Sequence, residues 1–80
     1  MSIGRRPGNA LVIDHPDVSR QHCEVVRTSS GHTVQDLEST NGTYVNGIPV
    51  RAATLAHGDR IELGPLTLRY EVDSVDDQAT

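Results

Sequence analysis

The stretch Thr43-Tyr44-Val45-Asn46-Gly47-Ile48-Pro49-Val50 carries the clearest folding signal of this 80-residue chain. Asn-Gly between two β-prone triplets predicts a two-residue hairpin, because both residues accept the positive φ of a type I′ turn. Pro49 has no N–H to donate to a ladder, so the returning strand is predicted to be short or to lie at a sheet edge.

Outward from this hairpin, short apolar runs alternate with turn residues in both directions. Strands are predicted at residues 22–27, 32–37, 60–63 and 66–72, with a further apolar run at 11–13. No segment keeps helical spacing over three turns. The residues available for an apolar core are mainly nine Val, six Leu and four Ile, and the chain has no Phe or Trp. These observations predict one small all-β domain, an antiparallel sandwich or barrel with an aliphatic core.

The net charge of −4 is concentrated at one end of the chain. Residues 1–70 hold seven acids and seven bases, all Arg, whereas residues 71–80 hold four acids and no base. We therefore predict a domain over residues 1–72 and an acidic, disordered tail over residues 73–80. Because no basic stripe is visible, the sequence does not predict a nucleic acid partner.

The single cysteine, Cys23, has no internal disulfide partner, which predicts an intracellular, cytoplasmic location. No apolar stretch approaches the length of about 18 residues that a membrane span requires, and the first nine residues lack a hydrophobic signal core. The sequence therefore predicts neither a membrane partner nor secretion.

Catalysis and metal binding find little support. Ser19 and His22, with Asp36 or Asp59, have the residue types of a nucleophile, base and orienter, but no nucleophile elbow is present. We therefore predict that the chain is not an enzyme. The residues best suited to bind zinc are His15, His22, His32 and Cys23. Their spacing matches no common zinc motif, so no metal or cofactor is predicted.

The remaining polar signal lies in three segments between predicted strands: Gly4-Arg5-Arg6, Ser19-Arg20, and residues 39–42. Loops of a sandwich cluster at its ends, where the scaffold can hold several small polar groups together. An Arg fork suits phosphate oxygens, and Ser, Thr and Asn supply further donors. The alternative is that these are ordinary turn residues with solvated arginines.

Four motifs in order carry a family resemblance. They are Ile3-Gly4-Arg5, Val18-Ser19-Arg20-Gln21-His22, the run from Asp36 to Gly47, and Leu55-Ala56-His57-Gly58-Asp59-Arg60-Ile61-Glu62-Leu63-Gly64. Together they closely resemble the forkhead-associated (FHA) domain, from Ile3 to about Val72. The resemblance implies an FHA-type β-sandwich that recognises phosphothreonine peptides through loops at one end.

By position, the resemblance implies five phosphopeptide-binding residues. Arg5 matches the main phosphate ligand, Ser19 a hydroxyl donor to the phosphate, and Arg20 a second cationic contact. Thr40 matches the residue beside the phosphate and the threonine methyl group. Asn41 matches the residue that bonds the peptide backbone. The implied partner is a phosphothreonine-containing protein, a Ser/Thr kinase or its substrate.

Other matched positions imply structural roles. His22 would brace the loop that presents Ser19, and the glycines would meet backbone requirements for positive φ or close approach. These structural positions are Gly4, His22, Gly42, Asn46, Gly47, Gly58 and Asp59, with Gly64 as a further glycine. Arg6 has no role that the family resemblance assigns.

In one respect the chain departs from the family pattern. The family has eleven strands, two of them before the Gly-Arg segment, whereas here that segment already occupies residues 4 and 5. We therefore expect a sandwich of antiparallel or mixed sheets without the usual N-terminal hairpin. It would be a compact variant, a fragment of something longer, or a homodimer through exposed sheet edges. The alternative function is phosphorylation-independent assembly.

Overall fold

The computed structural model describes residues 1–72, in which the chain forms nine β-strands and no helix. The strands are β1 (Ser2–Gly4), β2 (Leu11–Val12), β3 (Cys23–Thr28), β4 (Gly31–Asp36), β5 (Thr43–Val45), β6 (Ile48–Val50), β7 (Ala52–Thr54), β8 (Arg60–Leu63) and β9 (Leu66–Arg69). The all-β prediction is confirmed. The predicted tail, residues 73–80, lies outside the described residues. Within residues 1–72 no helix is long and apolar enough to cross a membrane.

Two sheets make up the sandwich. One has five strands in the order β2-β1-β3-β4-β7, and the other has four in the order β6-β5-β8-β9. Every pairing is antiparallel except that of β1 with β2, which is parallel. The expectation of two antiparallel or mixed sheets is therefore confirmed. Strand β1 leads directly into the Gly-Arg segment, and no other strand precedes it in residues 1–72.

The predicted hairpin is formed by β5 and β6. Asn46 and Gly47 have φ values of 53° and 83°, and Val45 pairs with Ile48 across the turn. This double positive φ is the type I′ geometry that matches the twist of paired strands. Pro49 lies in β6, which has three residues and forms an edge of its sheet. Both sequence predictions about this hairpin are confirmed.

The core lies between the sheets and is aliphatic, as the composition predicts. Ile3, Val18, Val34 and Leu63 are at most 1% exposed. The alternation predicted after residue 65 is present, because the side chains of Leu66, Leu68 and Tyr70 pack against the core while the residues between them are exposed. With so few large side chains, the core depends on close packing of small branched residues.

Several details differ from the sequence prediction. Strand β1 was not predicted, and the strand predicted over residues 66–72 ends at Arg69. The strand predicted from His22 begins one residue later, since His22 itself turns inward and bonds neighbouring loops. Strand β7 was not predicted, because Ala52 and Ala53 have low intrinsic β propensity. Its pairing with β4 aligns Ala53 with Val34, so the sheet partner defines this strand.

Candidate functional site

The loop after β1 lies against the segment before β3 because Gly4 has no side chain. A Cβ atom at Gly4 would lie 2.2 Å from the Arg20 carbonyl oxygen. Since this is far below a van der Waals contact, any larger residue would push the two backbones apart. The close approach lets the Arg5 amide donate to the Ser19 carbonyl oxygen at 2.9 Å. Gly4 therefore brings two Arg-containing loops together.

The Arg5 side chain is anchored through one edge of its guanidinium group. Its Nε–H donates to the carbonyl oxygen of Val18 at 3.0 Å, and Val18 is fully buried. The two terminal nitrogens have no hydrogen-bond partner among residues 1–72. An exposed arginine that is held in this way presents a preoriented pair of donors to an oxyanion.

The Ser19 hydroxyl is oriented by the loop between β4 and β5. Its Oγ atom accepts a hydrogen bond from the Thr40 amide at 2.9 Å. Because the oxygen serves as an acceptor towards the protein, the hydroxyl proton remains available to donate elsewhere. The bond also joins the two loops that hold Ser19 and Thr40.

His22 lies beneath these loops and is fully buried. Its Nδ1 accepts from the Ser19 amide at 3.0 Å, and its Nε2 lies 2.8 Å from the Gly42 carbonyl oxygen. A carbonyl can only accept, so Nε2 carries the proton and the ring bonds both loops as a neutral imidazole. Both polar atoms of the buried ring are thus satisfied.

A second support for the β4–β5 loop is the carboxylate of Asp36. Oδ1 accepts from the hydroxyls of Ser39 at 2.5 Å and Thr43 at 2.7 Å, and Oδ2 accepts from the Ser39 amide. Burial alone would raise the pKa of the Asp36 carboxyl, but these hydrogen bonds outweigh burial and lower it. The Ser39 hydroxyl in turn accepts from the Gly42 amide at 3.0 Å.

Asn41 is anchored beside this loop through one end of its amide. Its Nδ2 donates to the carbonyl oxygen of Asp17 at 2.9 Å. The Oδ1 atom has no hydrogen-bond partner among the residues that the structure describes. Asn41 is exposed, so this oxygen can accept from an N–H group outside the chain.

These loops surround a shallow depression of about 450 Å³. Its lining residues are Arg5, Arg6, Ser19, Arg20, Gln21, Leu37, Glu38 and Thr40. The structure thus places four of the five predicted binding residues around one depression, and Asn41 lies next to it without lining it. Three arginines and one acid line the depression, so the site is locally positive although the chain is acidic.

The other predicted structural residues lie at the far end of β5. Asn46 donates to Asp59 Oδ1 at 3.0 Å, and its own Oδ1 accepts from the Arg60 amide at 3.0 Å. Hydrogen bonds from the Ala56 amide and from Asn46 lower the pKa of the Asp59 carboxyl. Gly58 follows with a φ of 92°. This end is a hydrogen-bonded turn system, separate from the depression.

The geometry of the residue types considered for catalysis is not that of a triad. The hydrogen bond from Ser19 to His22 uses the serine amide, while the hydroxyl oxygen accepts from the Thr40 amide.

Burial raises the pKa of the Cys23 thiol to about 11, so this cysteine is protonated at neutral pH.

Three features of the site were not predicted from the sequence. The Asp36 carboxylate caps the amide and the hydroxyl of Ser39 three residues on, a local side-chain motif that the Asp-x-x-Ser spacing could have suggested. Asn9 bonds the backbone beside Arg6, and the Pro7-Gly8-Asn9 composition was a turn signal. Glu38 has a φ of 58°, which lies in the left-handed region, and no sequence pattern at this position predicts that conformation.

The fold and the loop cluster define a β-sandwich with an arginine-lined depression at one end. Residues 1–64 match the family profile of the FHA domain. The chain therefore belongs to the FHA-domain family, whose members are binding modules that recognise phosphothreonine through Arg-bearing loops. The family resemblance seen in the sequence is confirmed.

Three relatives illustrate the similarity. The glycogen accumulation regulator GarA of Mycobacterium tuberculosis is 42% identical over 69 residues, which are 86% of this chain and 43% of GarA. Mycobacterium tuberculosis EmbR, solved in complex with a low-affinity phosphopeptide, superposes with a TM-score of 0.84 at 35% identity, over 88% of this chain and 19% of EmbR. The FHA-2 domain of the Mycobacterium tuberculosis ABC transporter Rv1747 gives a TM-score of 0.80 at 40% identity, over 88% of this chain and 65% of that one. The chain spans less than half of GarA.

Proposed function

We propose that residues 1–72 form a phosphothreonine-dependent peptide-binding module of a signalling pathway, without catalytic activity of its own. The observation that carries this proposal is the set of preoriented donors around one depression. Arg5 is tied through its Nε–H to Val18, which leaves its terminal nitrogens to bind. Ser19 is tied through its oxygen to Thr40, which leaves its proton to donate.

The charge of a phosphate group matches this arrangement. Phosphothreonine carries about −1.5 to −2 charges at neutral pH. Arg5 and Arg20 both line the depression, and together they balance that charge. The hydroxyl of Ser19 adds a neutral donor. The bonds from the two arginines to a phosphate are charge-assisted, and such bonds are stronger than bonds between neutral groups.

The remaining two residues would recognise the peptide rather than the phosphate. Thr40 lines the depression beside Ser19, where its methyl group can contact that of phosphothreonine. Asn41 has an unpartnered Oδ1 among residues 1–72 and can accept a peptide N–H. The partner is accordingly a cytoplasmic protein that carries phosphothreonine, a Ser/Thr kinase or its substrate. The phosphopeptide bound by EmbR supports this proposal.

The test begins with selection from an immobilised oriented library of phosphothreonine peptides. A selected peptide is then titrated calorimetrically in phosphothreonine, phosphoserine and unphosphorylated forms. We expect the phosphothreonine form to bind tightest, the phosphoserine form more weakly and the unphosphorylated form not measurably. Arg5→Ala should weaken phosphopeptide binding by about 10- to 100-fold. Arg60→Ala, which removes an exposed arginine that lines no part of the depression, is the matched control. Equal affinity for phosphorylated and unphosphorylated peptides would contradict the proposal.

A second candidate function, self-association, is favoured by an apolar groove of about 540 Å³ between the sheets. Its apolar lining includes Met1, Ile3, Leu11, Val25, Ile61 and Leu68. The groove runs beside β9, an edge strand of its sheet. Exposed strand edges beside apolar surface favour pairing with another chain. We propose that a second copy of this chain covers the groove through antiparallel pairing of the β9 edge.

The hydrogen bonds of Tyr70 indicate the register of such a pair. Its amide donates to Asp59 and its carbonyl accepts from Gly58, so both polar groups point into the sheet. By strand alternation, the backbone groups of Arg69 and Glu71 face the open edge. Antiparallel pairing about a two-fold axis at Tyr70 would place Arg69 opposite Glu71 of the second copy, which joins opposite charges.

Equilibrium sedimentation of the wild type and two variants tests the dimer. The wild type should be dimeric at tens of micromolar, Arg69→Glu should dissociate it by facing two acids, and Arg69→Glu combined with Glu71→Arg should restore it. A monomeric wild type, or a dimer indifferent to both changes, would contradict this pairing. The phosphothreonine titration separates the two functions, because it does not require β9.

A further inference from the structure

A second depression, of about 460 Å³, adjoins the proposed phosphate site. The residues common to the linings of both depressions are Arg5, Arg6 and Arg20. The second depression is completed by Pro7, Val12 and Asp14, none of which lines the first. It therefore lies on the side of the arginines away from Ser19 and Thr40.

The backbone holds two of these arginines side by side before any ligand binds. The Arg6 amide donates to the Arg20 carbonyl oxygen at 3.2 Å. The side-chain amide of Asn9 donates to the carbonyl oxygens of Arg6 and Arg20 at 2.9 and 2.8 Å. This clamp holds the backbones of Arg6 and Arg20 side by side, and the side chains of both line the second depression.

Neither side chain has its charge neutralised by another residue between positions 1 and 72. Among residues 1–72, the guanidinium groups of Arg6 and Arg20 make no ion pair, and no hydrogen bond from either side chain is present. The proposed phosphate contacts use Arg5 and Arg20, so Arg6 remains as a positive charge in excess of what one phosphate requires. Asp14 is the single acid in the lining of the second depression.

The walls of the second depression suit a side chain better than a free ion. Pro7 and Val12 are exposed apolar residues, and Val12 is 45% exposed. They can pack against the aliphatic part of a side chain whose oxyanion reaches Arg6. An anion arriving on the same peptide as the phosphothreonine would also gain from the high effective concentration that linkage provides.

We propose that this second depression binds a second oxyanion-bearing side chain of the phosphothreonine peptide, with Arg6 as the specificity-determining residue. The proposal rests on the phosphothreonine binding argued above and adds a preference beside it. The oxyanion is either a carboxylate or a second phosphate. Asp14 limits the preference, because its charge opposes that of the incoming group.

The experiment uses the phosphothreonine peptide selected from the library. Each flanking position in turn carries Glu, Gln, phosphoserine or Ser, and the Kd for the 80-residue chain is measured by fluorescence anisotropy. At one flanking position, Glu should bind about two- to fivefold tighter than Gln. Phosphoserine there should bind about five- to tenfold tighter than Ser. A gain with Glu alone identifies a carboxylate ligand, and a gain with phosphoserine alone identifies a phosphate.

Two charge variants give opposite expectations. Arg6→Gln should abolish the preference at that position. Asp14→Asn should enlarge the same preference. The proposal is overturned when no flanking position responds to charge, or when the preference survives Arg6→Gln. If the wild type binds phosphothreonine and threonine peptides equally well, the proposed function itself is refuted. Failure of the flanking-position proposal can therefore be told apart from failure of the proposed function.

Discussion

Two Asn-Gly pairs flank strand β5, and they serve different ends of the molecule. Gly42 and Gly47 both have positive φ, at 88° and 83°. Asn46 uses both ends of its amide within the chain, donating to Asp59 and accepting from the Arg60 amide. Asn41 uses only its Nδ2, towards Asp17, and its Oδ1 has no partner among residues 1–72.

The same dipeptide therefore closes one end of the sandwich and leaves the other open to a ligand. At the closed end, both carboxylate oxygens of Asp59 accept hydrogen bonds from the protein. At the open end, Arg5 and Ser19 bond the protein through their inner atoms and keep their outer donors. The binding end is distinguished from the structural end by side-chain hydrogen-bonding groups that have no partner among residues 1–72, and not by the turn motif.

Removing the support beneath the open end should have the largest effect. His22→Ala should lower the free energy of unfolding by about 2–4 kcal/mol, since it leaves a cavity and two partly buried backbone groups without partners. Urea unfolding measures the change, and phosphopeptide affinity should fall with it. His57→Ala is the control, because His57 is exposed. An unchanged unfolding midpoint would show that the imidazole does not brace the loops.

Adding one methyl group at Gly4 should break the open end in a different way. Gly4→Ala places a Cβ against the Arg20 carbonyl oxygen, so we expect a loss of about 1–3 kcal/mol in stability and weaker phosphopeptide binding. Gly8→Ala is the matched control, as its Cβ would meet nothing within 4 Å. Similar behaviour of the two variants in urea unfolding would argue against the close approach.

Acid should weaken the open end through Asp36. Its pKa is lowered in the folded state, so its contribution to stability is present above the unfolded value of about 4 and is lost as the pH falls through the folded pKa. Asp36→Asn should cost about 1–2 kcal/mol at pH 7 and flatten the loss of stability below pH 4. Urea unfolding at several pH values measures both, with exposed Asp14→Asn as control. A slope unchanged by Asp36→Asn would exclude this carboxyl as the source.

The two asparagines should separate binding from stability with the smallest effects. Asn41→Ala should weaken phosphopeptide binding about 3- to 10-fold by removing one neutral hydrogen bond, with little change in stability. Asn46→Ala should lower stability by about 0.5–1.5 kcal/mol and leave the affinity unchanged. Calorimetric titration and urea unfolding of both variants give the comparison. Equal effects on affinity would remove the distinction between the two ends.

Sequence predicted much of the fold, because local signals agreed with the final pairing. Asn46-Gly47 fixed its hairpin register, and the alternation of Leu66 and Leu68 fixed the face of β9. The β7 strand escaped prediction, since Ala52 and Ala53 are strand residues only by virtue of their partner. Likewise, the Asn9 clamp joins residues eleven positions apart through a carbonyl of Arg20. Such contacts depend on tertiary geometry, which no local pattern encodes.

The most direct test of the open and closed ends is an amide chemical-shift titration with the selected phosphothreonine peptide. The account predicts large shifts at Arg5, Ser19 and Thr40, and none beyond noise at Asn46 and Gly47. The unphosphorylated peptide should shift neither set. Shifts concentrated at the Asn46-Gly47 end, or shifts of equal size with the unphosphorylated peptide, would contradict the account.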